Sequence, residues 1–227
     1  MDSAKLVSCA VFAALLTACS SGGDSTSGGS TGDGTAETTD AGAVPTSAPP
    51  AFDDFPGDGV VFIQSGMRVG VKTKAIDSTW TTEVMGSPAN PGYHYLAVWI
   101  AVTPELADRG ADEVNIDKVF HLRYKPSGGT CGGSQPTTSG GYCYHQGNPG
   151  SQLVALEDGG WRDHQWEKGE YVRSALDRGE TRFGQIGFQI DDTVEPSEFE
   201  LCTPSREEPF STERFPCTPV KAPDGSR

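Results

Sequence analysis

Short runs of alternating apolar and polar residues begin at position 59 and recur almost to the end of the chain. Gly59-Val60-Val61-Phe62-Ile63 is a compact apolar run, and Met67-Arg68-Val69-Gly70-Val71-Lys72 alternates with period two. Residues 80–84 form a further short candidate. Tyr93-His94-Tyr95-Leu96-Ala97-Val98-Trp99-Ile100-Ala101-Val102 is the strongest strand pattern in the chain. Residues 114–124 alternate again and place Val114, Ile116, Phe120, Leu122 and Tyr124 inward, while 152–156 is a weaker run. Residues 183–190 set Ile186, Phe188 and Ile190 on one face, and Phe199 and Leu201 repeat this in a last strand. Successive side chains of a strand point to opposite faces, so period two is the mark of a half-buried strand. Seven or eight such strands, separated by Gly, Pro, Asn and Asp, predict an all-β sandwich of antiparallel strands. Helix is expected to be minor, with 104–108 forming a single turn behind a proline tolerated at its first position.

Ahead of position 50 the pattern is different. Leu6-Val7-Ser8-Cys9-Ala10-Val11-Phe12-Ala13-Ala14-Leu15-Leu16 is an almost unbroken apolar run of eleven residues. A membrane-spanning helix needs roughly 20, so this run fits the h-region of a signal peptide covering residues 1–18. It ends in Leu16-Thr17-Ala18-Cys19, which resembles the bacterial lipobox: an aliphatic residue, two small residues, and the cysteine that receives lipid. Cys19 is therefore the expected lipidation site, the alternative being an ordinary secretory cleavage site with an incidental cysteine. Residues 20–50 are mostly Ser, Gly, Thr, Ala, Asp and Pro, and cannot bury enough surface to offset the entropy of ordering. A flexible coil of that length spans roughly 30 Å. The expected organisation is a signal peptide at 1–18, the lipidated cysteine and linker at 19–55, the sandwich at 56–220 and a tail at 221–227.

Charge changes the picture of partners. The chain carries 31 acidic against 17 basic residues, a formal charge of −14, with no basic stripe. Phosphate neutralisation needs clustered Lys and Arg, so no nucleic-acid partner is expected. Adsorption to anionic lipid is disfavoured too. The expected link to the bilayer is thus acylated Cys19, where two or more acyl chains give stable anchoring. The expected location is the extracytoplasmic face of the cell membrane.

Four further cysteines, Cys131, Cys143, Cys202 and Cys217, follow the linker. An even number outside the cytoplasm points to disulfides, with three connectivities possible. The local pairs Cys131–Cys143 and Cys202–Cys217 are expected, because each closes a segment rich in turn-forming residues. Loops of that size contribute about 3 kcal/mol each in the chain-entropy model. A zinc site competes for these residues, but neither pair has the close Cys spacing of zinc ligands.

The stretches Gly92-Tyr93-His94-Tyr95-Leu96-Ala97-Val98-Trp99-Ile100-Ala101-Val102, Phe120-His121-Leu122, Leu176-Asp177-Arg178-Gly179-Glu180 and Gly184-Gln185-Ile186-Gly187-Phe188-Gln189-Ile190 carry a family resemblance. Together they resemble the telokin-like domains of unknown function in bacterial lipoproteins, and the related immunoglobulin-like secreted antigens of mycobacteria. The resemblance covers residues 59–202. It implies an immunoglobulin-like sandwich without a known catalytic centre.

Enzyme signatures are mostly missing from the sequence. No histidine is followed by the Glu of a His-Glu-x-x-His zinc motif, and no lysine has serine three before it. Gly28-Gly29-Ser30-Thr31-Gly32 matches a nucleophile-elbow string but lies in the linker. The glycine cluster 128–133 lacks the lysine of a phosphate loop. Asp191-Asp192-Thr193 reads as a strand-ending turn, with calcium as the alternative. The most unusual stretch is 142–166, where Tyr142, Tyr144, His145, Trp161, His164 and Trp166 stand among Gly, Asn and Pro. Aromatics in polar loops suit contact surfaces. Tyr142, Tyr144, His145, Trp161 and Trp166 are thus the candidate surface for an envelope protein or glycan. The alternative is that Trp161 and Trp166 cover the edge of a small core. No catalytic residue, metal or cofactor is expected. The expected function is a membrane-tethered, non-catalytic binding or interaction module of the cell envelope. The alternatives are an envelope hydrolase with an unrecognised site, or a carrier of a small apolar ligand.

Overall fold

In a computed structural model of the chain, twelve strands follow one another with no α-helix among the described residues, which are 48–132, 135–138 and 140–225. The expected signal peptide, Cys19 and most of the expected linker lie outside them. The strands are β1 (Val60–Phe62), β2 (Val71–Thr81), β3 (Glu83–Val84), β4 (Ser87–Pro88), β5 (Tyr93–Pro104), β6 (Ala111–Val114), β7 (His121–Pro126), β8 (Cys143–Gln146), β9 (Ser174–Leu176), β10 (Arg182–Asp191), β11 (Pro196–Cys202) and β12 (Cys217–Pro219). Eight of them make two four-stranded antiparallel sheets, ordered β1-β2-β5-β10 and β12-β11-β7-β8. The chain is an antiparallel β-sandwich. The count exceeds the seven or eight expected because β3–β4 and β6–β9 form separate two-stranded ribbons.

The core lies between the inward faces. Leu96, Val98, Ile100 and Val102 of β5, with Ile186, Phe188 and Ile190 of β10, pack against Leu122, Tyr124 and Leu201 of the second sheet. Aromatic pairs cross the gap: Phe62 lies 5.0 Å from Phe120, and Trp80 6.0 Å from Phe199. Two glycines of Gly184-Gln185-Ile186-Gly187 mark close packing. A Cβ on Gly184 would sit 2.7 Å from Ile116 Cδ1, and one on Gly187 3.0 Å from the Tyr95 ring.

The first sheet is covered on its outer face as well, so β5 is buried on both sides and reads as a continuous apolar run. The same burial hides β2, whose sequence Val-Lys-Thr-Lys-Ala-Ile-Asp-Ser-Thr-Trp-Thr looks polar although Thr73, Lys74, Asp77 and Ser78 are buried. The free edge of β10 is closed by residues 149–154: Ser151 N donates to Gln185 O at 2.9 Å, and Phe183 N to Val154 O at 2.8 Å. The weak 152–156 run is this irregular edge segment, joined by isolated bridges.

Several expected boundaries shift. The alternation at 67–72 does not begin a strand until Val71; Gly66 has φ +99°, and Met67 N closes a turn onto Gln64 O at 3.0 Å. Residues 114–124 are split by a turn in which Asn115 Oδ1 accepts Asp117 N at 2.7 Å and Lys118 has φ +59°. Val114, Ile116, Phe120, Leu122 and Tyr124 are nonetheless all buried. Pro104 does not start a helical turn; it ends β5, paired with Val71. The packed chain also begins before residue 56. Phe52, in a 3-10 turn at Phe52–Asp54, is buried on the outer face of the first sheet. Its carbonyl and that of Phe55 accept Lys74 Nζ at 3.1 and 2.6 Å. At the other end, Lys221 O accepts Ser78 Oγ at 2.6 Å, so the expected tail is tied down at its first residue. Both local disulfides, Cys131–Cys143 and Cys202–Cys217, are formed. Among the described residues no helix is long and apolar enough to cross a membrane.

Candidate functional site

The aromatics of 142–166 do not form one surface. Period-two geometry sends Tyr142 and Tyr144 to the outer face of the second sheet. There Arg123 lies over the Tyr142 ring at 4.7 Å, Tyr144 stands opposite Arg123, and Arg123 Nε donates to Glu200 Oε2 at 2.7 Å. His145 turns inward beside Tyr124, where burial holds its imidazole below the ordinary range. Trp161 and Trp166 lie on the outer face of the other sheet. Trp161 stacks on Phe183 at 6.4 Å and meets Phe55 edge-on at 5.5 Å, while Trp166 Nε1 donates to Trp161 O at 3.0 Å. Both tryptophans are half-buried and cover the small cluster of Phe52, Ala101 and Phe183. The candidate surface is therefore divided between opposite faces of the sandwich, because the loop between β8 and β9 leaves one sheet and crosses to the other. His145 and His164 are separated in the same way, His164 packing against Trp166 at 4.7 Å. Among the described residues no group of three or more His, Cys, Asp or Glu is placed to hold a metal ion. Asp191 Oδ1 accepts both Thr193 N and Thr193 Oγ1, at 2.8 and 2.6 Å, which makes 191–193 a turn.

A different feature has the chemistry of a binding site. Where β1 leads into β2 and β11 into β12, three loops enclose a groove of about 520 Å³. Such volumes suit small-molecule and anchor-residue pockets. Ile63 and Met67 line it from the first loop, Val119 and His121 from the second, and Phe210 and Phe215 from the third. Ile63 N donates to Pro204 O at 3.1 Å, which ties the first loop to the third. The third loop is held in shape by its own bonds. Cys202–Cys217 joins its ends, Thr203 N reaches Pro216 O at 3.1 Å, and Glu208 N is capped by Ser205 Oγ at 3.1 Å. Phe215 is buried and meets the His121 ring edge-on at 5.7 Å. Phe210, by contrast, is 92% exposed at the mouth. An exposed phenylalanine on a rigid loop beside an apolar groove is a surface not yet satisfied by the fold.

The groove also has a distinct charge. Lys118 and Arg206 line it, and none of the described residues lining it is acidic. Burial holds the His121 imidazole below its ordinary value, with a backbone hydrogen bond at Val119 offsetting part of that. Asp117 and then Glu170 raise the Lys118 ammonium, so it stays charged. A second cleft, of about 590 Å³, is lined by Arg68, Asp112, Glu113 and Arg173. There the Arg173–Glu113 ion pair already satisfies its own charges.

Sequence reasoning passed over the groove, since its walls come from three distant loops. The available signal was Pro209-Phe210-Ser211, a large apolar residue set among Arg206, Glu207 and Glu208 inside the Cys202–Cys217 bracket.

No family model matches the chain, and no curated protein matches it. Among solved structures it is similar to an uncharacterized β-sandwich protein from Clostridium difficile 630, with 11% identity and a TM-score of 0.34 over 65% of this chain and 85% of that one.

Proposed function

We propose that this chain is an extracytoplasmic lipoprotein of the telokin-like, immunoglobulin-like type, whose sandwich binds a ligand in the cell envelope without catalysing a reaction on it. The groove carries this reading: an apolar cavity of about 520 Å³ with a phenylalanine 92% exposed at its mouth, on a loop stapled by a disulfide. A preformed site of this kind binds with little ordering cost. Lipid on Cys19 and the polar linker would hold that site near the bilayer.

Two measurements test it. N-phenyl-1-naphthylamine, an uncharged apolar fluorophore, should bind saturably to the full-length protein, and Phe210→Ser should weaken that binding severalfold. A fluorophore that fails to saturate would remove the groove as the binding site. For placement, a Cys19→Ala variant should leave the membrane fraction when expressed in a bacterium that processes lipoproteins. If it stays membrane-bound with its signal peptide removed, the lipid anchor is wrong.

A further inference from the structure

We infer that the groove takes an amphipathic anion: one apolar chain lying between Met67, Val119 and Phe215, with its carboxylate held by Lys118 and Arg206. The inference rests on the groove being the binding site, and it adds the chemistry of the ligand.

The observation behind it is a reversal of charge. The whole chain is acidic, 31 carboxylates against 17 cations. A site lined at random by its charged residues would hold more acids than bases. The groove instead presents Lys118 and Arg206 and no lining carboxylate. Both cations are accessible, with side-chain exposures of 49% and 61%. Their existing ion pairs are long. Lys118 Nζ is 3.6 Å from Asp117 Oδ2 and 3.6 Å from Glu170 Oε1, and Arg206 Nη2 is 3.9 Å from Glu105 Oε2. Charge-assisted hydrogen bonds are formed at about 2.7–2.9 Å, so each cation keeps donors for an incoming carboxylate. The nearby Glu208 is turned away to Arg214 Nε at 3.3 Å. A cationic ligand would meet two like charges here, and a neutral one would gain nothing from them, leaving them only their present long ion pairs.

The apolar part of the ligand follows from the walls. Met67 is unbranched and adapts to an alkyl chain. Val119 and Phe215 supply aliphatic and aromatic contact, and the exposed Phe210 ring adds apolar surface to the lining. The volume admits one alkyl chain of moderate length rather than a multi-chain lipid body.

The test displaces N-phenyl-1-naphthylamine from the full-length protein with decanoate or with decanol, both below their aggregation limits. Decanoate should act at a concentration at least tenfold lower than decanol. The double variant Lys118→Gln/Arg206→Gln, its folding checked by Tm, should raise the decanoate midpoint about tenfold and leave that of decanol unchanged. Phe210→Ser should weaken both ligands alike. If decanol competes as well as decanoate, or the double variant changes neither, the anion is wrong while the groove stands as an apolar site. If neither compound displaces the fluorophore, or Phe210→Ser has no effect on either, the inference and the underlying site assignment fall together.

Discussion

The hydroxyl of Tyr124 lies 3.0 Å from Nε2 of His145, and the two rings stack with centroids 5.5 Å apart and planes 13° from parallel. The pair closes one edge of the sandwich core. A neutral imidazole can accept the phenol proton at Nε2, whereas a protonated one presents a donor to a donor. Burial disfavours the charged ring further and lowers its pKa, with Asp191 offsetting part of the effect.

The direction of the pH dependence follows. The folded imidazole titrates below the ordinary value of 6.5, so the unfolded chain takes up its proton first as pH falls. Stability is full above the unfolded value and declines as pH drops through it towards the folded one. His121 shifts in the same sense. The Tm of the native chain should therefore fall between about pH 7.5 and about pH 5. His145→Gln, which cannot charge, should show a smaller fall. An identical fall in the two proteins would show that His145 is not coupled to folding.

Lys74 is a second pressure point. It is 5% exposed, donates to the carbonyls of Phe52 and Phe55, and lies 4.4 Å from the Phe52 ring centroid. Hydrogen bonds to a charged donor are worth about 1.5–3 kcal/mol. Lys74→Met should cost about 2 kcal/mol and expose residues 51–55 to limited proteolysis. Unaltered cleavage there would mean that the segment is held by Phe52 alone.

Asp77 and Arg162 form an ion pair between β2 and the long loop, and Arg162 also lies 5.8 Å over the Trp99 ring. The Asp77 side chain is 8% exposed against 53% for Arg162. Arg162→Ala strands a buried carboxylate that keeps the Ser78 amide as a partner at 2.9 Å. Removing one partner of a fully buried pair costs about 3–5 kcal/mol, and the exposure of Arg162 reduces this to about 2 kcal/mol. Adding Asp77→Asn should recover at least about half of it, as a double-mutant cycle would report. A second substitution that merely adds its own cost would disprove the coupling.

The two disulfides should separate stability from binding. Replacing either pair with alanine opens a loop whose cross-linked ends lie 12 or 15 residues apart, at a cost of about 3 kcal/mol. Loss of Cys202–Cys217 should also reduce fluorophore binding, because that staple shapes the Phe210 loop. Loss of Cys131–Cys143 should leave binding intact in the fraction that stays folded, since none of the groove's lining residues lies in its loop. Equal losses of binding would break the link between the staple and the groove.

Much of the sandwich was legible from alternation. The β5 and β10 patterns run as expected, and residues 114–124 bury the expected side chains even though a turn interrupts them. β2 was largely hidden, because its buried lysine and aspartate are satisfied by distant groups that no local pattern reveals. Lys74 needs the carbonyls of Phe52 and Phe55, and Asp77 needs Arg162. The short strands β8, β9 and β12 hold three or four residues each, too few for a period to emerge. The division of the candidate surface between two faces was hidden for a related reason. Tyr142 and Trp166 are near in sequence, but which sheet each covers is decided by tertiary packing. The groove draws its walls from residues 63–67, 118–121 and 204–215, so its chemistry exists only after folding.

The attachment of Phe52 has a mechanical consequence. A pull on the chain from its N-terminal side would reach the domain first at two clasps. Phe52 N donates to Thr181 Oγ1 at 3.0 Å beside β10, and Lys74 holds two carbonyls from β2. β10 and β2 flank β5 on opposite sides, so the load spreads across three strands before it meets β1, an edge strand of three residues that could otherwise unzip pair by pair. The first event under tension would be release of residues 52–59, paying out roughly 25 Å of chain while the sheet stays whole. The domain thus carries its own shock absorber between the chain on its N-terminal side and its core.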